Sequence, residues 1–163
     1  MSLDQAMMFH RQGRFDKAVS EYLTALEDAP NDPQILYLLG TAYLQTKQSS
    51  LACQLFLRTV SIKSDHFEAW NNLGNCHMAA NRSIDARAAW TKALQIPNRE
   101  AIEYADIWCN LGSIHVNSGD PEKGIPLCRK AIEIDPNHTD AHWNLALMLL
   151  ETGQYAEGFD LYK

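Results

Sequence analysis

The sequence predicts an all-α solenoid in which a helix-turn-helix unit of about 34 residues recurs nearly five times. The first observation behind this prediction is a repeated pair of a leucine and a small residue, at Leu39-Gly40, Leu73-Gly74, Leu111-Gly112 and Leu145-Ala146. These pairs are separated by 34, 38 and 34 residues. A regular spacing of this length is typical of stacked helical repeats.

The second observation is a further small residue twelve positions after each pair, namely Ala52, Ala86, Gly124 and Gly158. Four positions later come Phe56, Trp90, Cys128 and Tyr162. The same register assigns Ala6, Ala18 and Tyr22 to a first unit whose opening helix begins near Ser2. Two helices that cross closely cannot both carry bulky side chains at the contact. We therefore expect the small residues to meet there and the rings to fill the surrounding space.

Each first helix is predicted to end seven residues after its small residue, at Gly13, Asn81, Gly119 and Gly153. Glycine and asparagine tolerate the left-handed conformation that ends many helices. Lys47 holds this place in the second unit, so its turn is either built differently or slightly strained.

Two irregularities interrupt the repeat. Four extra residues around Asn98–Ala101 are expected to extend the fourth unit's first helix by about one turn. Pro126 lies inside a predicted helix that begins near Pro121, where it removes a backbone hydrogen bond and favours a kink.

These features together resemble the tetratricopeptide repeat, with its W-x-x-L-G-x-x-Y, A-x-x-x-F and Pro pattern. The segments Trp70–Gly74 and Trp108–Gly112 match the first half of that pattern closely. The resemblance covers essentially the whole chain and implies one right-handed superhelical solenoid, residues 1–163, with about five repeats of which the last is incomplete. The expected repeats are 1–32, 33–66, 67–104, 105–138 and 139–163.

Composition agrees with an ordinary soluble chain, since 46% of the 163 residues are apolar and 21% are charged. No apolar run approaches the roughly 18 residues of a membrane span, so no membrane partner is expected. Residues 1–5 lack the basic and apolar regions of a secretory signal, which predicts a cytoplasmic protein. The net charge of −6 makes nucleic acid the least expected partner, because binding to it depends on basic groups.

Catalytic and metal-binding patterns are not found in the sequence. The cysteines Cys53, Cys76, Cys109 and Cys128 form no C-x-x-C pair, so free helical thiols are expected. His77, His115 and His142 occupy places that aromatic residues hold in other units, which favours packing with one hydrogen bond each. No nucleophile elbow, phosphate-binding loop or H-E-x-x-H helix is present. We therefore expect a non-enzyme without catalytic residues, metal ion or cofactor.

One regularity is not demanded by packing: Asn72, Asn110 and Asn144 stand immediately before the repeated leucines. The resemblance places first helices on the inner, concave side of the solenoid, where such proteins bind partners. The three asparagines look like the asparagine ladder of O-linked N-acetylglucosamine transferase and, in part, of kinesin light chain, which binds peptide segments. An amide can bind a peptide backbone whatever its side chains. Alternatively, these amides solvate the inner face or bond to neighbouring helices.

Neighbouring candidates on the same face are Tyr37, Asn71, Asn75 and Trp143, together with Thr41 and Ser113. An acidic rim is expected from Glu68, Asp106 and Asp140, which favours an uncharged or basic segment. The lysine and arginine set of the family's carboxylate-clamp members is not found at these places. Binding of chaperone C-termini is therefore not expected.

The function predicted from these features is a non-catalytic scaffold that binds an extended protein or peptide segment in its concave groove. Residues 154–162 look like the last repeat of bacterial tetratricopeptide proteins that continue into a glycosyltransferase domain. The alternative is therefore a substrate-recruiting arm of a larger bacterial glycosyltransferase. A third possibility is a self-assembling module, which forms homodimers through exposed solenoid ends.

Overall fold

The computed structural model describes residues 3–116 and 118–161, and every regular element in this part of the chain is a helix. The helices are α1 Leu3–Arg11, α2 Phe15–Asp28, α3 Pro33–Gln45, α4 Ser49–Ile62, α5 Phe67–Ala79, α6 Ser83–Leu94, α7 Ala101–Val116, α8 Pro121–Ile134, α9 Thr139–Glu151 and α10 Tyr155–Leu161. The all-α prediction is confirmed. The predicted helix start near Ser2 and the predicted ring of Tyr162 lie outside the described residues.

The chain divides into two compact units, an N-terminal unit that runs to Ala93 and a C-terminal unit that begins at Leu94. In the N-terminal unit, each of the helices α1 to α4 packs against the next helix in sequence, as in a row of antiparallel hairpins. The rings of Tyr22, Phe56 and Trp90 are almost completely buried. Burial of such rings is a large apolar contribution to stability.

In the C-terminal unit, α7 packs against α8, and α9 packs against both of these helices and against α10. One apolar cluster here contains Cys128, Leu145 and Leu149, and a second contains Cys109 and Ala131. A hydrogen-bonded ion pair between Arg129 and Glu157 joins α8 to α10, with Nη2 to Oε1 at 2.9 Å.

The predicted close approach of first and second helices is observed at each glycine that begins a crossing. A Cβ atom on Gly40 would lie 2.7 Å from Cε1 of Phe56, and one on Gly74 would lie 2.3 Å from Nε1 of Trp90. At Gly112 it would meet the Sγ of Cys128 at 2.6 Å. Glycine is therefore needed because the side chain sixteen residues later occupies the space of a methyl group.

The predicted helix ends are confirmed by the backbone. Gly13, Asn81, Gly119 and Gly153 all have positive φ angles, between 57° and 78°. Lys47 has φ of 62°, and the N–H of Gln48 donates to the carbonyl of Tyr43 at 2.8 Å. Equivalent bonds close the turns at Gly13, Asn81 and Gly153. The turn at Lys47 is thus built like the others, with a side chain in a conformation that favours glycine.

The four-residue insertion lengthens a helix, whereas Pro126 does not end one. Helix α7 has 16 residues where α3, α5 and α9 have 13, so the expected extension is observed. Ahead of it, Asn98 has φ of 62°, which the sequence analysis did not predict. The hydroxyl of Tyr104 in α7 donates to the carbonyl of Ile96 at 2.6 Å, which joins the helix to the segment between α6 and α7. Helix α8 continues through Pro126, whose side chain is exposed.

Candidate functional site

The asparagines predicted to form a ladder lie on first helices, at Asn72 in α5, Asn110 in α7 and Asn144 in α9. Each precedes a buried leucine, and each is itself half-buried. Consecutive helix residues differ in direction by about 100°, so the residue before a core leucine lies at the edge of the buried face. The side chains are therefore held near the surface by the packing of their neighbours.

Two of these amides bind the preceding first helix of their own unit. The side-chain amide of Asn144 donates to the Sγ of Cys109 at 3.5 Å, between α9 and α7. Asn72 in α5 interacts with the hydroxyl of Tyr37 in α3. Asn72 and Asn144 thus have a structural role, as the alternative interpretation proposed. This role fixes the direction of each amide and is compatible with a second role in binding.

Tyr37 lies among other groups of the N-terminal unit. Its ring centroid is 4.6 Å from that of His66 and 5.9 Å from that of Phe56. Burial raises the pKa of the Tyr37 hydroxyl, the charge of Glu68 raises it further, and the bond to Asn72 lowers it. The hydroxyl is therefore neutral at physiological pH and can both donate and accept hydrogen bonds.

Two histidines beside this face were not recognised in the sequence. The Nδ1 of His66 accepts from the N–H of Ala69 at 3.4 Å, and the Nδ1 of His138 accepts from that of Ala141 at 3.3 Å. They cap α5 and α9 at their N-termini, in the role that the Asp32 carboxylate has at α3. Both histidines stand immediately before a first helix of the repeat, and this recurrence in the sequence could have identified them.

The predicted acidic rim lies in the first turns of the same helices. The side chain of Glu68 is 41% exposed, with Oε2 3.1 Å from Nδ1 of His66. The side chain of Asp106 is 70% exposed, with Oδ1 3.1 Å from Nε2 of His138. Asp140 is exposed in the first turn of α9. These carboxylates give the face a negative edge in both units.

The remaining predicted site residues differ in exposure. Asn71 accepts a hydrogen bond at its backbone carbonyl from Nε1 of Trp90 at 3.3 Å, and its side-chain Oδ1 is buried without a hydrogen-bond partner. Asn71 therefore belongs to the helix crossing more than to the surface. Asn75 is exposed, and Trp143 is 50% exposed although it is a large aromatic residue.

Of the three histidines at positions that aromatic residues hold in other units, His142 makes the same hydrogen bond as its aromatic counterpart, Trp70. The Nε2 of His142 bonds to the carbonyl of Pro136 at 2.9 Å, and the Nε1 of Trp70 bonds to the carbonyl of Ser64 at 2.8 Å. Both acceptors lie six residues earlier. For His77 and His115, by contrast, Nδ1 is buried without a hydrogen-bond partner. Burial lowers the pKa of His77, which favours the neutral ring.

The described residues contain no group of three or more histidine, cysteine or acidic side chains placed to hold a metal ion. All four cysteines are free thiols within helices, as expected. Within residues 3–116 and 118–161, no helix has the length and apolar character needed to cross a bilayer.

Comparison with known families decides which repeat this is. Models described as TPR repeat or tetratricopeptide repeat match residues 7–47, 33–66, 67–96, 105–138 and 127–159. The chain belongs to the tetratricopeptide repeat (TPR) family. The match at 105–138 begins four residues inside α7, which places the start of this TPR unit after the extra turn of the helix.

Among curated proteins, this TPR chain is 27% identical over 150 residues to tetratricopeptide repeat protein 8 of Caenorhabditis elegans, covering 92% of the chain and 29% of that protein. It is 27% identical over 129 residues to human protein O-mannosyl-transferase TMTC3, covering 77% of the chain and 14% of that protein. The chain thus spans less than a third of the length of these relatives.

Among solved structures, the crystal structure of MamA has a TM-score of 0.88 at 23% identity, over 99% of this chain and 92% of that one. YrrB, described as a TPR protein with an unusual peptide-binding site, has a TM-score of 0.80 at 16% identity, over 98% and 80% of the two chains. These similarities confirm the fold class as a TPR solenoid.

Proposed function

We propose that this TPR chain is a non-catalytic scaffold that binds an extended protein or peptide segment with its first helices. The N-terminal unit contributes Tyr37, Asn72 and Asn75, and the C-terminal unit contributes Asn110, Trp143 and Asn144. Each unit is proposed to bind its part of the segment by itself. The family supports an interaction role, because TPR solenoids use extended surfaces to bind partners.

The observation that carries this proposal is the position of the asparagines, half-buried at one repeat position of α5, α7 and α9. A primary amide offers two donors and a carbonyl acceptor, so a single bond to Tyr37 or Cys109 leaves capacity for a peptide backbone. These bonds fix the amide direction before a ligand arrives. A fixed side chain loses less conformational entropy on binding.

The aromatic and acidic neighbours favour a particular class of segment. Trp143 is 50% exposed beside Asn144, and exposed tryptophan is enriched among residues that dominate binding energy. The partly exposed carboxylates of Glu68, Asp106 and Asp140 lie in the first turns of α5, α7 and α9. We therefore propose an uncharged or basic segment with at least one apolar side chain as the ligand. YrrB, which has the same fold, is described as having a peptide-binding site.

A second candidate function is the recruiting arm of a larger glycosyltransferase. It is supported by the similarity to TMTC3, a protein O-mannosyl-transferase of which the chain spans 14%. In that case the same first-helix residues would bind a protein substrate. The two candidates differ in whether the natural reading frame also encodes a catalytic domain, which sequencing the transcript would decide.

Affinity capture with crosslinking tests the proposed face. The intact protein and a variant with Asn72, Asn110 and Asn144 all changed to Ala are incubated with lysate, crosslinked and compared. The matched control changes three exposed residues of second helices, Arg87, Lys92 and Glu133, to Ala. We expect the asparagine variant to lose crosslinks at Tyr37 and Trp143 that the control retains. Equal crosslinks in all three folded proteins would place the binding surface elsewhere.

A further inference from the structure

A surface cavity of about 490 Å³ in the N-terminal unit is lined by none of the residues proposed to bind the peptide. Its wall includes Cys53 from α4, Cys76 and His77 from α5, and Arg82 from the turn that follows α5. The cavity therefore brings two thiols from consecutive helices to one solvent-accessible place, although they are 23 residues apart in sequence.

The two thiols lie on the same cavity wall but differ in environment. Cys53 is half-buried and Cys76 is 6% exposed. Interaction with Cys53 contributes to the raised pKa of Cys76, so the two thiols lie near each other. Both pack against the apolar cluster that contains Phe56 and Leu73. The Nη2 of Arg82 donates to the Sγ of Cys53 at 3.7 Å. The thiolate is the reactive form of cysteine, and a positively charged group lies beside the Cys53 sulfur.

We propose that Cys53 and Cys76 are a modification site for hydroperoxides, at which oxidation closes a reversible disulfide between α4 and α5. Cys53 reacts first, because it is the more exposed of the two cysteines and Arg82 donates to its sulfur. Burial raises the pKa of Cys76 to about 11, so this thiol is protonated. It reacts second, with the oxidised sulfur of Cys53. The inference uses none of the residues proposed to bind the peptide and does not depend on the proposed function.

The chemistry balances with one hydroperoxide for each pair of thiols. The Cys53 thiolate attacks the terminal peroxide oxygen, the O–O bond breaks, and the leaving oxygen takes a proton to form water or an alcohol. Cys53 is then a sulfenic acid. The sulfur of Cys76 attacks that of Cys53, the S–S bond forms and the S–O bond breaks. The hydroxide that leaves takes the Cys76 proton as water, so two electrons have passed from the thiols to the peroxide.

The other two cysteines provide an internal comparison. Cys109 is 3% exposed and Cys128 is fully buried, and burial raises the pKa of Cys128 to about 12. The thiol of Cys109 accepts the amide of Asn144. These thiols lack both a cation at hydrogen-bond distance and a place on the cavity wall among the described residues. We therefore expect them to remain reduced under conditions that oxidise the first pair.

Peptide mapping tests the proposal on the intact protein. The reduced chain is treated with hydrogen peroxide, the remaining thiols are alkylated, and a non-reducing digest is analysed by mass spectrometry. We expect a crosslinked peptide pair that contains Cys53 and Cys76 and disappears after dithiothreitol, with Cys109 and Cys128 alkylated. Separate overoxidation of Cys53 without the crosslink, or equal oxidation of all four cysteines, would overturn the proposal.

Variants separate the two steps. In Cys76→Ala, a sulfenic acid on Cys53 should persist and be trapped by dimedone, whereas Cys53→Ala should leave Cys76 reduced. Arg82→Met removes the cation from an exposed position, and it should slow the loss of the Cys53 thiol several-fold without changing the helical content. Circular dichroism confirms folding of each variant. An unchanged oxidation rate in Arg82→Met would refute the assigned role of the guanidinium.

Discussion

The side-chain amide of Asn144 donates a hydrogen bond to the Sγ of Cys109, 3.5 Å away on the preceding first helix. In the N-terminal unit, Asn72 makes the equivalent contact with Tyr37. Each asparagine is 35 residues from its partner. The asparagine before the repeated leucine thus contacts the preceding first helix in both units. This contact orients the side-chain amide, which can also hydrogen-bond to a peptide backbone.

The first prediction concerns the stability of this contact. Changing Asn144 to Ala removes a bond to a weak sulfur acceptor, so unfolding should become easier by about 1 kcal/mol or less. Urea denaturation followed by circular dichroism measures this free energy. A loss near 3 kcal/mol would contradict the proposal, because the asparagine would then be required mainly for folding.

The second prediction concerns the crossing at Gly74. In Gly74→Ala, the new methyl group would lie 2.3 Å from Nε1 and 2.5 Å from Cδ1 of Trp90, whose ring is 1% exposed. A buried ring cannot move without disturbing its neighbours, so we expect a loss of about 1 to 3 kcal/mol. Asn75→Ala, at the next and exposed position, is the matched control. Equal stability of the two variants would refute the packing argument.

The third prediction concerns the strained turn at Lys47. Glycine adopts a φ of 62° without steric cost, so Lys47→Gly should stabilise the protein by about 0.5 to 1 kcal/mol, after the larger unfolded-state entropy of glycine is subtracted. Lys47→Ala removes the same side chain but keeps the strain, and it should give no gain. Thermal melting distinguishes them, and a higher midpoint for the alanine variant would contradict this account.

The fourth prediction concerns Pro126, which lacks the N–H that would donate to the carbonyl of Glu122 in α8. Because its ring is exposed, Pro126→Ala should stabilise the helix by about 1 to 3 kcal/mol and slow hydrogen exchange around it. Pro121→Ala is the control, since a first-turn N–H has no partner within the helix. Equal exchange rates near position 126 before and after the change would disprove this prediction.

The fifth prediction concerns pH. Burial lowers the pKa of His66 from its ordinary value of 6.5, so the unfolded chain binds a proton at a higher pH than the folded chain. Stability should therefore fall as pH decreases from 6.5 towards the lowered folded-state pKa, and level off below it. In His66→Asn, which keeps a capping side chain, this fall should be shallower. An identical pH dependence in both proteins would exclude His66 as a source.

Much of the fold could be predicted because repeated packing constrains small residues strongly. Trp90 fills the space that a side chain at position 74 would occupy. A glycine followed sixteen residues later by a larger side chain therefore recurs in the repeats, and this spacing is visible in the sequence. The left-handed turns at Gly13 and Asn81 follow from the same register.

The partners of polar side chains were harder to predict. Asn144 could be placed before its leucine, but its bond to Cys109 depends on side-chain direction across two helices. His66 was missed because histidine is not among the preferred N-cap residues. Cys53 and Cys76 line one cavity because α4 packs against α5, which their separation in sequence does not indicate.

The most direct test of the central claim is calorimetric titration with a peptide selected from a display library. If asparagines bind the peptide backbone, N-methylation of the peptide should abolish binding, while most alanine substitutions in it should have little effect. The protein variant with Asn72, Asn110 and Asn144 changed to Ala should bind at least about tenfold more weakly, a difference of about 1.4 kcal/mol or more. Undiminished affinity of that folded variant would contradict the claim.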